Sequence, residues 1–189
     1  MGTNGWLWAD VASDFAAATA RPPRPEIDLE SAPAPARLAS HTAAVLADVA
    51  VAGVDVADGR LVLLFEPQYQ PEWDGQLRLV GFTRADLEAE LVTDSLLLEV
   101  GWSWVVDSFE NRGLDPLSVS ATVSRTGSQS FGDISSRPPA GAIEIRSSWT
   151  VPADESLIEH VHAWCDLLAS AAGLVPLPKG ISTLRRRKA

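Results

Sequence analysis

The sequence predicts an α+β fold, an antiparallel sheet of about four strands with helices packed on one face, in the order α-α-β-β-α-β-β-α. Three observations predict it. Two pairs of short segments read as strands: 60–66, a heavily apolar run, with 76–82, and 118–125 with 142–150, the last three alternating apolar and polar residues at the period of a half-buried strand. Each pair is followed by a stretch with apolar residues at helical spacing. The link within the first pair, Pro67–Gly75, suits an antiparallel hairpin with a longer loop.

Taken in order, Asp10–Ala20 is alanine-rich with Val11 and Phe15 one turn apart, which predicts a short helix. Arg21-Pro-Pro-Arg-Pro stops it, because proline removes a backbone donor and restricts its predecessor. Residues 21–35 hold five prolines and read as an extended surface connection. A second helix is expected over Ala36–Ala50, with Leu38, Thr42, Val45, Leu46 and Val49 as its buried face. Arg60–Glu66 and Gln76–Phe82 then read as strands joined by a longer hairpin loop. Thr83, with Asp86 three residues on, predicts a capped short helix to about Val92.

Leu97–Arg112 reads as the organising helix. Leu98, Trp102, Val105 and Phe109 form its expected core stripe, and Gly113 its stop. Two further strands, Ser118–Arg125 and Ala142–Thr150, flank a fifteen-residue stretch, 126–140, that is long for a hairpin loop. A last helix over about Glu155–Ala172 ends at Gly173. Phe109, Trp149 and Trp164 join Trp102 as expected core aromatics.

The length of 189 residues predicts one domain, with residues 1–9 and the basic tail 181–189 as flexible ends. The N-terminus lacks the basic start and apolar run of a secretory signal, and no stretch reaches membrane-spanning length. A single cysteine, Cys165, leaves no internal disulfide to form, and a reducing cytoplasm is the expected setting. The net charge of −10 argues against a broad nucleic-acid footprint. That charge is uneven. Arg185, Arg186, Arg187 and Lys188 are four of the fifteen basic residues, so residues 1–184 carry eleven against 25 acidic ones, a net −14.

Candidate chemistry is sparse. His162, Cys165 and Asp166 share a helix side with His160 nearby, but Cys165 also belongs to the apolar face and His41 is the only other histidine. The expectation is a buried thiol beside exposed histidines, with no metal and no cofactor. Gly101-Trp-Ser-Trp matches the first half of a nucleophile elbow, with Val105 where the second glycine is needed. Gly127-Ser-Gln-Ser-Phe-Gly132 offers amides to a phosphate but lacks the lysine of a P-loop. No catalytic residue is assigned.

Binding is better served. Arg78, Glu144, Arg146, Ser120, Thr122 and Ser124 project from the sheet face away from the helices, if the alternation holds. Arg78, Thr122, Glu144 and Arg146, with Phe131 as an apolar anchor in the 126–140 loop, form the candidate partner-contact surface. The Arg185–Lys188 run offers nucleic acid a weak, salt-sensitive contact at most.

Arg60-Leu-Val-Leu-Leu, Glu99-Val-Gly-Trp-Ser-Trp104, Ser128-Gln-Ser-Phe-Gly132, Glu144-Ile-Arg-Ser-Ser-Trp149, Trp164-Cys-Asp-Leu-Leu168 and Ala171-Ala-Gly-Leu-Val-Pro-Leu-Pro178 occur in that order. This set resembles the actinobacterial family catalogued as domain of unknown function 3000, from about Phe15 to Arg187. The resemblance implies no assigned activity, cofactor or catalytic residue. The functional expectation is a cytosolic, non-enzymatic module that binds another protein. The alternatives are a small-ligand binder or enzyme with a pocket near Trp102, Trp104 and Trp149, and an accessory factor in RNA metabolism that uses its basic tail.

Overall fold

The computed structural model describes residues 6–176. In chain order these residues form α1 (Trp8–Ala20), β1 (Ile27–Ala32), β2 (His41–Val51), β3 (Val54–Gln70), β4 (Gly75–Leu87), α2 (Leu97–Glu110), β5 (Leu117–Ser128), β6 (Ala140–Thr150) and α3 (Leu157–Ala171). All strand pairs are antiparallel, in the spatial order β1-β2-β3-β4-β6-β5. The fold is thus α+β with a six-stranded sheet. α3 lies over β3 and β4, with α1 on one side of it and α2 on the other. The order is α-β-β-β-β-α-β-β-α.

The largest correction to the sequence reading is 36–50, which forms no helix. His41–Val51 is the strand β2. Its buried residues Val45, Ala47 and Val49 follow period two, while Leu38 and Leu46, expected inside a helix, are exposed. Val, Ala and Leu satisfied both periods in this stretch, and pairing on both edges decided between them. β2 is bonded to β1 and to β3, the latter through a two-residue turn at Ala52 and Gly53, both at positive φ. Residues 21–35 are likewise not all connection, since β1 lies within them. The helix expected after Phe82 is also absent. Thr83 is buried within β4, which runs on to Leu87, and only a 3-10 turn follows at Leu91–Thr93.

The inner face carries one continuous core: Leu61, Leu63 and Phe65 of β3, Leu77 and Leu79 of β4, Ile143, Ile145 and Trp149 of β6, and ten of the fifteen residues of α3. Trp164 of α3 seats where glycine leaves room on two neighbouring strands. A Cβ at Gly59 would lie 2.8 Å from the Trp164 ring and 2.7 Å from the Phe82 carbonyl, and one at Gly81 would lie 3.1 Å from Trp164. Phe109 meets Trp149 edge-on at 5.1 Å between ring centroids. These three aromatics are in the core as expected.

Trp102 is not. The buried stripe of α2 is Leu97, Gly101, Val105, Ser108 and Phe109, whereas Trp102 is 42% exposed. Trp104 is the half-buried tryptophan of this helix and packs against the core. The register is set by clearance. A Cβ at Gly101 would stand 2.7 Å from Val123 Cγ1 and 3.1 Å from Ile143 Cδ1, so the helix axis comes too near the sheet for a larger residue there.

Candidate functional site

The outer sheet face, which no helix covers, is the surface the strands build jointly. Alternation along each strand and the observed register place its residues in rows. One row runs Leu46–Arg60–Phe82–Arg146–Thr122 and the next Asp48–Asp58–Arg84–Glu144–Ser124. Over β2 and β3 the connection between β1 and β2 folds back across this face. Arg60 Nη2 donates to the Pro33 carbonyl at 2.6 Å, Thr42 Oγ1 to that of Pro35 at 3.2 Å, and the Ser40 amide and hydroxyl bind the Glu66 carboxylate at 2.8 and 2.6 Å. Those two bonds hold the Glu66 carboxyl below its ordinary range. Ala44 and Leu64 are buried here although they point away from the helices.

The candidate contact residues fall on the other half, over β4, β6 and β5, and they are not equivalent. Arg78 is tied down. Its guanidinium donates to Thr150 Oγ1 at 3.1 Å, to Ser148 Oγ at 2.8 Å, and at 3.4–3.5 Å to the carbonyl of Ser118, a bulge residue with φ of 48°. Desolvation lowers its pKa from the ordinary arginine value. Arg78 therefore ties β4 to β6 and to the start of β5. Glu144 is half-buried and accepts from Arg146 Nη2 at 2.8 Å. The Arg146 guanidinium also lies 5.4 Å from the Phe82 ring centroid, yet its side chain is 58% exposed. Thr122 is exposed beside it, and Phe131, at 75%, is the most exposed aromatic ring of the described residues. The structure thus brings Thr122, Glu144 and Arg146 together, anchors Arg78 within the sheet, and sets Phe131 on the connection from β5 to β6.

Sequence reasoning missed the edge itself. β5 pairs with β6 on one side only, and its other side is the sheet boundary. Edge strands ordinarily guard themselves with lysine, proline or outward charge. β5 has twelve residues with neither lysine nor proline, and its one charged side chain, Arg125, is bonded to the Asp94 carbonyl. β1, at the opposite boundary, is half as long, with six residues. The composition of 117–128 carries this signal, but only the strand order turns it into an edge. Next to it, the connection to β6 holds exposed Phe131 and Ile134 around a 3-10 turn at Gly132–Ile134.

The other candidates disperse. His160 is fully buried, not exposed, with Nε2 2.8 Å from Glu155 Oε2. Burial lowers its pKa and outweighs the opposing pull of Glu155. His162 is half-buried and lowered for the same first reason. Asp166 accepts from Arg112 Nε at 2.6 Å, and Glu159 from Arg112 Nη1 at 2.7 Å. Cys165 lies in the core, where burial pushes its thiol far above the ordinary range. The elbow-like Gly101–Val105 stretch is helix interior, with Ser103 Oγ donating to the Val100 carbonyl at 2.8 Å. Of the glycine-rich stretch, Gly127 lies in β5 and Gly132 opens the 3-10 turn. Trp149 is buried against Phe109, whereas Trp102 faces solvent. The arginines and lysine of 185–188 lie outside the described residues.

These features define an α+β protein with three helices on one sheet face and an open, partly polar opposite face. The chain matches the family described as "Protein of unknown function (DUF3000)" over residues 8–182, and it belongs to that family. No curated protein and no solved structure matches it. Among the described residues no helix is long and apolar enough to cross a membrane.

Proposed function

We propose that the protein is a cytosolic, non-enzymatic binding module that takes up an extended segment of another protein along β5. The observation that carries this is the edge of β5, which beyond the bulge at Ser118 runs through Ser120–Ser128 in regular register and free of lysine and proline. Such an edge offers alternate backbone N–H and C=O groups to a partner strand, and main-chain bonds then supply affinity while neighbouring side chains supply selection. Thr122 and Arg146 on the outer face, with Phe131 beside the edge, supply that selection here.

The test is chemical cross-linking of the tagged protein in its own host, mapped by mass spectrometry. Cross-links to one partner should concentrate on residues 117–146 and vanish in Thr122→Lys, which adds the charge that edges use against pairing. The melting temperature should stay within a degree or two of the parent, because exposed substitutions typically change stability by within ~0.5 kcal/mol. A partner retained by both Thr122→Lys and Phe131→Ala, and cross-linked to α2 instead, would sink the proposal.

A further inference from the structure

We infer that the outer face of β1–β4 is the docking surface for this chain's own basic C-terminal segment, residues 177–189. The sheet carries a charge conflict on this face. Asp28 of β1 stands opposite Asp48 of β2, which stands opposite Asp58 of β3. Like charges directly opposite on neighbouring strands are destabilising, and all three carboxylates are exposed on the same face. Asp86 stands two residues from Arg84 along β4, on the same face. Among the described residues one cation answers this cluster: Arg84, at 3.8 Å from Asp58 and 3.3 Å from Asp86. The Asp58 carboxyl is raised above its ordinary value, first by desolvation and then by Asp48, Asp86 and Glu144, with Arg84 only partly offsetting them. The surface is also shaped. A shallow depression of about 450 Å³ opens here, lined by Leu46, Asp48, Asp58 and Arg84 among others, and Leu46 is 42% exposed on its wall.

The occupant is indicated by composition and by where the chain leaves the core. Residues 177–189 carry Lys179, Arg185, Arg186, Arg187 and Lys188 and no acidic residue, a charge of +5. The remaining ten basic and 25 acidic residues leave −15 for the rest of the chain. At the end of the described residues, the Val175 carbonyl accepts a hydrogen bond from Arg24 Nη1 at 2.9 Å. Arg24 lies just before β1, where Ile27 pairs with Val49 and the Ala50 amide donates to the Glu26 carbonyl. The chain is therefore released at the end of the sheet where Asp28 and Asp48 stand. Eight residues lie between Pro176 and Arg185, and an extended chain over those nine steps spans up to ~30 Å. Crossing from β1 to β3 takes only about 10 Å. Tethering at that distance gives a local concentration on the order of millimolar, enough to populate a contact too weak to hold a free peptide.

The test places a nitroxide label on Thr183→Cys in the full chain, where native Cys165 is buried and stays unlabelled. Amide signals of Asp48, Asp58 and Arg84 should lose most of their intensity by paramagnetic broadening, while those of Ser120–Ser124 on the far strand should not. The broadening should disappear at roughly 0.5 M salt, where the screening length falls to a few ångströms. It should also disappear in the tail variant R185E/R186E/R187E, which leaves the folded core untouched. Unbroadened Asp48 and Asp58 at low salt would overturn the inference. So would broadening that survives the tail variant. Labelled chains mixed with isotope-labelled, spin-free ones give the remaining arm. If the broadening passes between chains and not within one, the occupant is a second copy's tail and the intramolecular proposal fails.

Discussion

Trp102 and Gly101 exchange the roles that their sizes suggest. The larger residue faces solvent and the smaller lies in the tight contact with Val123 and Ile143. Trp102→Ala should therefore lower stability by about 1 kcal/mol or less, well under the ~3–5 kcal/mol of a buried aromatic. Trp164→Ala should show the full core loss in the same urea titration. Gly101→Ala gains roughly 1 kcal/mol of helix propensity but forces atoms to 2.7 Å, and overpacking of ~1–3 kcal/mol should make it a net destabiliser. The stripe read from sequence and the true one share Val105 and Phe109. They differ by a rotation that only the nearness of the sheet decides, which a single chain's periodicity does not record. His160 adds a pH dependence. Burial lowers its folded pKa below the ordinary 6.5, so below that pH the unfolded chain binds a proton that the folded chain refuses. Stability should then be full above about pH 7 and fall as the pH drops through 6.5 towards the depressed folded value, with His162 acting in the same sense. Urea midpoints at pH 7 and 5.5 check this. The gap between them should narrow in His160→Gln.

Strands, where they were read correctly, were legible because alternation and turn residues agreed. β3 was legible in part as an apolar run and β4, β5 and β6 in part by alternation, and each proved longer than the stretch read as strand. β2 was misread because its buried residues are mostly alanine and valine, which satisfy a helical stripe equally well. The contact surface was half legible. Alternation correctly sent Arg78, Thr122, Glu144 and Arg146 to one face, but it does not say which arginine is held. Arg78 bridges three strands through Ser118, Ser148 and Thr150, so Arg78→Ala removes the donor to the part-buried Ser148 and Thr150 hydroxyls and should cost ~1–3 kcal/mol. Arg146→Ala, losing an exposed pair, should stay within ~0.5 kcal/mol. Thermal melts of the two variants side by side separate an arginine that builds the surface from one that presents it.

At the scale of the molecule, the helices-on-one-face α+β reading was correct and the strand count was short by two. Both missed features trace to the N-terminal half, where proline-rich sequence hid β1 and alanine hid β2. A single probe reports on the whole core. Cys165 is inaccessible and its thiol is pushed far up by burial, so a thiol reagent should leave the native protein unmodified. One thiol per chain should become reactive along the same urea curve as the loss of tryptophan burial. Reaction in native buffer, on the timescale of free cysteine, would mean that α3 detaches locally while the sheet persists.

The seating of Trp164 over Gly59 and Gly81 also bears on how the protein is made. Synthesis runs from the N-terminus, and domains generally fold as units once their parts have emerged. Here β1–β4 leave the ribosome first, with β4 unpaired on the side that β6 later occupies and the inner face bare where α3 later sits. The helix that closes that face ends at Ala171, so a nascent chain halted between β6 and α3 has all its strands paired and still displays an uncovered apolar sheet. Premature termination within α3 thus yields an aggregation-prone sheet, not a slightly shortened protein, and cover of the apolar face depends on a residue added only after all six strands.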